Sequence, residues 1–201
     1  MQRLLAFILL LLISPIMAFL CMFVKLSSKG PFVFKQKRIG QGFKTFTIYK
    51  IRTMVKNAET LKNKVEHLNQ ADGPVFKIRD DPRFTGFGRF LSHTGMDEIL
   101  QIINIIKGEM SFVGPRPLPV KEAEKVSKKF YKRFSIKPGI TSLWIIKGAH
   151  NLSFEQWMML DLEYIEKKSI LFDIYIFLST VLLMLQWTNK KIIDIFVSTK
   201  K

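Results

Sequence analysis

The chain is poor in the side chains that usually build disulfide frameworks and metal centres. Its only cysteine, Cys21, lies inside an apolar run, so no disulfide can form within the chain and nothing indicates an oxidising compartment. Three histidines, His67, His93 and His150, show no metal-ligand spacing, which argues against a zinc site. The segment GFGRF at Gly86 lacks the strand-to-helix glycine pattern of a dinucleotide site. Carboxylates and basic side chains therefore remain as candidates for chemistry.

Acidic residues are also scarce. The 201 residues include 16 Asp and Glu against 32 Lys and Arg, which gives a net charge of +16, while 48% of the residues are hydrophobic. This length suits one domain with a core, together with a membrane segment. Positive charge of this size favours anionic lipid headgroups, nucleic acid or phosphorylated substrates, and it does not choose among them. A solvated basic surface would give the same composition.

Residues 4–24 contain no charged side chain and predict a membrane segment. As a helix they would extend roughly 31 Å, about one hydrocarbon thickness. Arg3 before the run suggests a cleaved signal peptide, but the run is too long for a signal core and no A-x-A site ends it. Ser14-Pro15 lies in the middle, where proline introduces a kink or a break. A kinked spanning helix and a re-entrant helix both fit these residues.

Basic residues near a membrane segment usually stay on the cytoplasmic side. Here the apolar run is followed by many basic residues and preceded by one: Lys25, Lys29, Lys35, Lys37 and Arg38 follow it, and Arg3 precedes it. The sequence therefore predicts a membrane segment over residues 1–30 and a cytoplasmic domain over residues 31–201.

Hydrophobic periodicity predicts several elements in the second part. Residues 31–54 alternate around two glycines and predict a β-hairpin, whereas residues 97–107 predict a largely buried helix. Residues 121–134 predict a charged amphipathic helix, and residues 153–168 a helix whose start is capped by a serine. Residues 174–187 are apolar for about fourteen positions, which is short for a span and favours an interfacial helix.

Asp97 and Glu98 are the first candidates for chemistry, because they open the predicted buried helix. Thr94-x-x-Asp97 before an apolar run matches a capping box, in which the carboxylate only satisfies a backbone N–H, and capping is the commoner use of such a residue. The functional interpretation uses the same geometry. A helix N-terminus holds anionic phosphates, two adjacent carboxylates could share a divalent metal, and a carboxylate can attack phosphorus to form an acyl phosphate.

Arg116 is the second candidate. Pro115 and Pro117 fix φ on either side of it and hold the guanidinium on a stiff arm suited to bidentate phosphate contact. A polyproline II connection would use the same residues without binding anything.

Four further polar residues complete the candidates. Lys50 and Arg52 are two positions apart in a predicted strand and would share one face, a cradle for phosphate or headgroups, although a solvated strand face is the simpler alternative. Asp161 and Asp173 lie beside apolar segments that could contact the membrane, and the simplest interpretation of both is an ordinary surface charge. Asp173 at the edge of an interfacial helix would be costly unless it is paired.

The order of these segments resembles that of the monotopic phosphoglycosyl transferases, the bacterial sugar transferases that start polyprenyl-diphosphate-linked glycan assembly. The resemblance covers nearly the whole chain. Besides the N-terminal segment with Ser14-Pro15, it rests on FKQKRIGQGFKTFTIYKIRTM, DDPRFTGFGRFL, MDEILQIINIIKGEMSFVGPRP, KPGITSLW and LDLEYIEKKSILFDIYI. The DE helix followed by KGEMSFVGPRP is its most specific part.

The resemblance implies roles for the candidate residues. Asp97 would be the covalent nucleophile and Glu98 its dyad partner, both acting with Mg²⁺. Phosphate-binding or other activity-related roles fall on further residues: Arg116, Pro117, Lys50, Asp161 and Asp173. The implied reaction transfers a sugar 1-phosphate from a UDP-sugar to polyprenyl (undecaprenyl) phosphate through an aspartyl-phosphosugar intermediate and releases UMP. It would be the first membrane step of glycoconjugate or polysaccharide assembly.

The implied fold is α+β and mostly helical. A re-entrant helix hairpin, broken at Ser14-Pro15, would occupy residues 1–30, and a small β-hairpin with interfacial amphipathic helices would form the cytoplasmic domain. The protein would be monotopic in the bacterial inner membrane. UDP-sugar, polyprenyl phosphate and membrane lipid are the expected partners, nucleic acid is not, and the formation of a homo-oligomer is left open.

Two positions depart from the family pattern. Ser92 and Ala149 stand where many members carry arginine, which removes two phosphate or nucleotide contacts and bears on sugar-nucleotide preference; His93 or Lys147 could substitute. Two competing hypotheses also remain. One is a non-catalytic, basic, membrane-anchored binding module, and the other is an enzyme whose two apolar ends both span the bilayer.

Overall fold

The computed structural model describes residues 2–148 and 151–198, with side chains as far as residue 189. Helices dominate and small sheets accompany them, which confirms the expected mostly helical composition. The α-helices are α1 Gln2–Ser27, α2 Gly86–Thr94, α3 Ile102–Lys107, α4 Val120–Ala123, α5 Leu143–Ile146, α6 Phe154–Lys167 and α7 Ile170–Ser198. The strands are β1 Val33–Ile39, β2 Thr45–Ile51, β3 Ser111–Val113, β4 Leu118–Pro119 and β5 Gly139–Thr141. Short 3₁₀ helices cover Gln41–Phe43, Lys62–Leu68, Met96–Gln101 and Lys128–Ser135.

The predicted β-hairpin is confirmed. β1 and β2 pair antiparallel along their whole length, from Val33 opposite Ile51 to Ile39 opposite Thr45. The turn passes through Gly42, whose φ of +62° is easily adopted only without a Cβ atom. β4 pairs with the other side of β1, so β1 is the middle strand of this sheet. β3 and β5 form a separate parallel pair.

The first helix runs through Pro15 without interruption, and the Ser14 hydroxyl donates to the carbonyl of Leu11. The structure thus does not divide α1 into the two arms expected from Ser14-Pro15. The helix is long and apolar enough to cross a membrane, which agrees with the predicted membrane segment.

Both ends of α1 pack against the same folded domain. Near its start, Ala6 is buried in a cluster with Phe46, Ile48, Ile105 and Met110. Near its end, side chains are buried in a second cluster: Leu20 and Val24 contact Ile51, Leu91 and Leu100. The opposite face of the helix remains exposed and apolar, with large side chains such as Leu12 and Ile16. One face of α1 therefore belongs to the core of the domain, and the opposite face is available to lipid.

The second apolar helix, α7, is longer than expected. The apolar stretch at residues 174–187 lies inside α7, of which Ile170–Asn189 is long and apolar enough to cross a membrane. The helix continues beyond the apolar stretch at both ends, through Ile170–Asp173 before it and through polar residues such as Thr188 and Asn189 after it. Its exposed face carries large apolar side chains such as Leu171, Leu178 and Leu182.

The helix expected over residues 97–107 is present, but it has two parts. A 3₁₀ turn over Met96–Gln101 leads into α3, and Gly108 ends it at φ +81°. The predicted capping box is wrong, because the Thr94 hydroxyl donates to the carbonyls of Phe90 and Leu91 and no side chain caps the 3₁₀ turn.

The single amphipathic helix expected over residues 121–134 is also wrong. The segment is split into α4 and a 3₁₀ helix, Lys128–Ser135, whose Phe130 and Phe134 fill a core beside Met158 of α6. The capped helix expected over residues 153–168 is confirmed as α6, where Ser153 and Gln156 form a capping box.

Candidate active site

Asp97 and Glu98 lie in the 3₁₀ turn that follows α2. Gly95 ends α2 in the left-handed conformation, at φ +75°, and so turns the chain sharply into Met96–Gln101. This turn packs against β2, and only 7% of Asp97 is exposed. Two adjacent carboxylates are thereby held at the inner face of the hairpin sheet, where a buried negative charge requires cations.

Two basic side chains converge on this pair. Lys50 Nζ of β2 lies 2.6 Å from Glu98 Oε1 and 3.6 Å from Asp97 Oδ2. Arg116 Nη2 lies 2.9 Å from the same Glu98 oxygen, and its guanidinium sits 6.0 Å from the centre of the Trp144 ring. Four of the residues predicted to act together are therefore brought together from distant parts of the sequence. Glu98 is bound by two cations, whereas Asp97 has one cation at longer range.

This asymmetry separates the two carboxyl groups electrostatically. Burial raises the pKa of Asp97, and the neighbouring charge of Glu98 raises it further, against the attraction of Lys50 and Arg116. Burial acts on Glu98 in the same direction, but Arg116 and Lys50 more than offset it and lower the pKa of Glu98. Glu98 is thus a fixed anion that holds the two cations, and Asp97 is the carboxylate left available for chemistry.

Close backbone contacts fix the loop that carries Arg116. Gly114 N donates to the carbonyl of Thr141, and Gly139 N donates to that of Pro115. A Cβ atom on Gly139 would come within 2.1 Å of Gly114 N, so the two segments meet only because both positions are glycine.

A buried ion pair holds the same loop from the other side. Arg133 donates to Asp161 Oδ2 from Nε at 3.0 Å and from Nη2 at 2.7 Å. Arg133 Nη2 also donates to the Arg116 carbonyl at 2.9 Å. Asp161, predicted as a site residue, therefore reaches Arg116 only through Arg133, and its own carboxylate lies outside the cluster of Asp97 and Glu98.

Two other predicted site residues lie elsewhere. Arg52 does not line the pocket with Lys50: its Nη2 donates to the Ser28 carbonyl at 2.6 Å and to the Val24 carbonyl at 3.3 Å, at the end of α1. Asp173 accepts a hydrogen bond from the Tyr164 hydroxyl at 2.6 Å and lies 3.5 Å from Lys168 Nζ, which satisfies the expected need for a partner.

The positions that depart from the family pattern are only partly described. Ser92 lies in the last turn of α2 and accepts the Gly95 N–H through its carbonyl. His93 Nε2 lies 2.9 Å from the Arg79 carbonyl, so its ring is engaged with a loop, and Lys147 is exposed. Ala149 lies outside the residues that the structure describes.

Sequence reasoning missed Arg38 and Gln101, which line a small pocket together with Lys50, Glu98, Arg116 and Pro117. Arg38 had been counted only as a basic residue near the membrane. The hairpin register could have identified it, because Arg38 pairs with Phe46, four positions before Lys50, and therefore shares the Lys50 face. Arg133 was missed as well, and no motif marks it.

A divalent cation has a limited set of ligands here. Among the described residues, no group of three or more His, Cys, Asp or Glu could hold a metal ion. Mg²⁺ commonly takes only one or two carboxylates and completes its shell with water and substrate phosphate, so Asp97 and Glu98 are a sufficient protein contribution. Asp97, buried beside a second carboxylate, fits such an ion best.

Comparisons with known proteins identify the family of this chain. The family model described as bacterial sugar transferase matches residues 1–187. A galactosyl transferase, CpsE, from Streptococcus agalactiae is 43% identical over 81% of this chain and 36% of its own length. The UDP-glucose:undecaprenyl-phosphate glucose-1-phosphate transferase of Escherichia coli is 38% identical over 88% of this chain and 38% of its own length.

A shorter relative matches along most of its length. The exopolysaccharide production protein ExoY of Sinorhizobium fredii is 35% identical over 89% of this chain and 80% of its own. Relative to the first two proteins, the chain spans a little over a third of their length. The match of the family model over residues 1–187 nevertheless covers α1, most of the apolar part of α7 and the whole cluster of Asp97 and Glu98. The chain belongs to the bacterial sugar transferase family.

Proposed function

We propose that this protein transfers a sugar 1-phosphate from a UDP-sugar to polyprenyl phosphate, with Asp97 as the nucleophile. The observation that carries the proposal is the pair of adjacent carboxylates in which Glu98 is bound by both Lys50 and Arg116, while Asp97 has only Lys50, at 3.6 Å. The names of the relatives, a glucose-1-phosphate transferase to undecaprenyl phosphate among them, support the choice of reaction and of lipid carrier.

The first displacement forms a covalent intermediate. A carboxylate oxygen of Asp97 attacks the phosphorus that bears the sugar, and an acyl phosphate bond forms as the bond to UMP breaks. Ion pairs with Glu98 hold Lys50 and Arg116 in position, and these two cations stabilise the charge that develops on the phosphoryl oxygens. A Mg²⁺ ion held by Asp97 and Glu98 would neutralise part of the diphosphate charge.

The second displacement regenerates the enzyme. A phosphate oxygen of the polyprenyl phosphate attacks the same phosphorus, the bond to Asp97 breaks, and the product is a polyprenyl diphosphate sugar. Because one carboxylate serves both steps from one side, donor and acceptor phosphates must reach the same pocket in turn. Its lining of Lys50, Arg116 and Arg38 suits an anion at each stage.

The membrane arrangement that we propose is monotopic, in the bacterial inner membrane with the folded domain in the cytoplasm. It is supported by the packing of both ends of α1 on one domain, which favours a helix whose two ends lie on the same side of the membrane. The basic residues after α1 favour the cytoplasmic side for that domain. In this arrangement a lipid acceptor reaches the pocket from the membrane surface.

The reaction is tested with full-length protein in lipid nanodiscs. With Mg²⁺ and a panel of UDP-sugars, at least one donor should yield UMP and an adduct of one sugar phosphate on Asp97, seen by mass spectrometry of the intact chain. Asp97→Asn should lose the adduct and slow UMP release by about a thousandfold or more, since nucleophile removal costs at least this much. Full activity of Asp97→Asn would refute the proposed nucleophile.

A non-catalytic basic binding module is the alternative that the charge of +16 allows. It predicts steeply salt-dependent nucleic-acid binding and no adduct. The pair of carboxylates beside Lys50 and Arg116 argues against it, because Asp97 and Glu98 would repel the phosphates of a nucleic-acid backbone and add nothing to its binding.

A further inference from the structure

Arg38 occupies a rigid position beside the pocket. It lies near the end of β1, where it pairs with Phe46 of β2 on one side and with Pro119 of β4 on the other. Its backbone therefore belongs to the middle strand of the sheet, and it faces the pocket next to Lys50 and Arg116. A side chain in this position is preorganised for binding a ligand.

The guanidinium of Arg38 is only partly satisfied. Its Nη1 donates to the Pro117 carbonyl at 3.0 Å, which fixes the plane of the group. Its Nε is buried and has no hydrogen-bond partner among the residues that the structure describes. Buried guanidinium donors are normally paired, so an orphaned donor of this kind requires an explanation.

The charge of Arg38 is also uncompensated at short range. Arg38 forms no ion pair within the described part of the chain, and the nearby Glu98 pairs with Lys50 and Arg116 instead. Burial and the nearby charge of Arg116 lower the pKa of Arg38 to about 10, while Glu122 and Glu98 act against them only from a distance. Arg38 therefore remains charged at neutral pH and has no ion-pair partner among the described residues.

We infer that Arg38 binds a phosphate oxygen of the substrate, with its free Nε aimed at that oxygen and its Nη1 held by Pro117. The inference rests on the proposed function for the identity of the substrate, but the binding of a phosphate anion does not require turnover. Arg38 thereby takes the place beside Lys50 that strand alternation had assigned to Arg52.

A purely structural role for Arg38 makes the opposite prediction about stability. If Arg38 served only to clamp Pro117 to β1, its replacement would lower the unfolding temperature of the ligand-free protein. If Arg38 is kept for an anion, the ligand-free protein carries an unpaired buried cation. Arg38→Met, which keeps the apolar stem, should then unfold at the wild-type temperature or above it.

The binding test uses full-length protein in nanodiscs and two non-reacting probes, UDP and inorganic pyrophosphate. Arg38→Gln and Arg38→Met should bind both probes about 10- to 100-fold more weakly, the loss expected for a charge-assisted hydrogen bond to phosphate. The affinity of Arg38→Lys should fall between theirs and that of the wild type, because lysine keeps the charge but lacks the planar set of donors of a guanidinium. Lys37→Gln is the matched control, since Lys37 is the exposed neighbour on the other face of β1 and should bind within about twofold of wild type.

Two results would overturn the inference. One is wild-type affinity of Arg38→Met for both probes. The other is a fall in the unfolding temperature of the ligand-free variant with no loss of affinity beyond that of Lys37→Gln. Kinetics then assign the source of the phosphate: a raised KM for the UDP-sugar alone places Arg38 on the donor, and a raised KM for polyprenyl phosphate alone places it on the acceptor. If no UDP-sugar yields UMP but pyrophosphate binding still depends on Arg38, the proposed reaction fails and the anion site remains.

Discussion

At the scale of single residues, the site distinguishes two neighbours of the same chemistry. Asp97 is buried and Glu98 is partly buried, yet only Glu98 is bound by two cations. Reasoning from local pattern alone favoured a capping role for Asp97, and the structure excludes it because Thr94 bonds to carbonyls of the preceding helix instead. A sequence motif names the residues of such a pair, but their surroundings decide which of them can react.

Asp161 is expected to act through Arg133 on the position of Arg116. Asp161→Asn should leave Arg133 buried without a counter-charge, which costs about 3–5 kcal/mol, and should lower both the unfolding temperature and the rate of UMP release. Thermal unfolding in detergent and UMP release in nanodiscs measure the two effects.

The control for this prediction lies on the same helix. Glu163 pairs with Lys167 on the exposed face of α6, so Glu163→Gln should change stability by no more than about 0.5 kcal/mol. Equal effects of the two substitutions would show that Asp161 does not hold the Arg116 loop.

Arg52 shows where residue-level prediction stops. Alternation along a strand puts residues two positions apart on one face, and Lys50 follows this rule. β2 ends at Ile51, so the rule no longer applies to Arg52, which turns instead to the carbonyls at the end of α1. The partner of Arg52 lies 24 residues away in the sequence and carries no local signal.

At the scale of elements, prediction worked where local chemistry fixes the backbone. The hairpin and the capped helix α6 have turn glycines or a capping serine, and both are confirmed. The segment at residues 121–134 has apolar spacing typical of a helix and no proline or glycine to interrupt it, yet it is split in two. Packing of Phe130 and Phe134 against α6 decides this, and that contact is not local.

Gly88 is expected to be essential for the packing of α2. A Cβ atom at this position would come within 1.9 Å of the Thr53 carbonyl oxygen, so Gly88→Ala must push the helix away from the segment that follows β2. The expected loss of stability is about 1–3 kcal/mol, the usual cost of overpacking, measured by denaturation in detergent.

Gly86 provides the comparison. A Cβ atom there meets nothing within 4 Å, and alanine favours a helix more than glycine does, so Gly86→Ala should leave stability unchanged or raise it by up to about 1 kcal/mol. A similar loss of stability in both variants would show that the close approach of Gly88 to the Thr53 carbonyl is not the cause.

At the scale of the whole molecule, two apolar helices and a basic domain define the relation to the membrane. The length of α1 allows a span, whereas the burial of Ala6 near one end and of Leu20 near the other favours a helix whose ends share one side. No periodicity in the sequence could separate these arrangements, because the difference lies in contacts with residues 46–110.

The topology can be read by labelling with an impermeant maleimide in intact spheroplasts. After the native thiol is removed by Cys21→Ala, a cysteine introduced by Gln2→Cys should be protected until the cells are lysed. Lys44→Cys, at the exposed hairpin turn, reports the domain and should behave in the same way. Labelling of position 2 but not of position 44 in intact spheroplasts would show that α1 spans the bilayer.

The burial of Ala6, Leu20 and Val24 also determines whether the domain can be produced without its membrane segment. An anchor that only tethers a domain can be cut away to leave a soluble enzyme. Removal of α1 here would uncover apolar side chains of two clusters at once, Phe46 and Ile48 in one and Ile51, Leu91 and Leu100 in the other. We expect a truncated chain that starts after Ser27 to aggregate, because the membrane segment is a structural part of the enzyme and not an appendage to it.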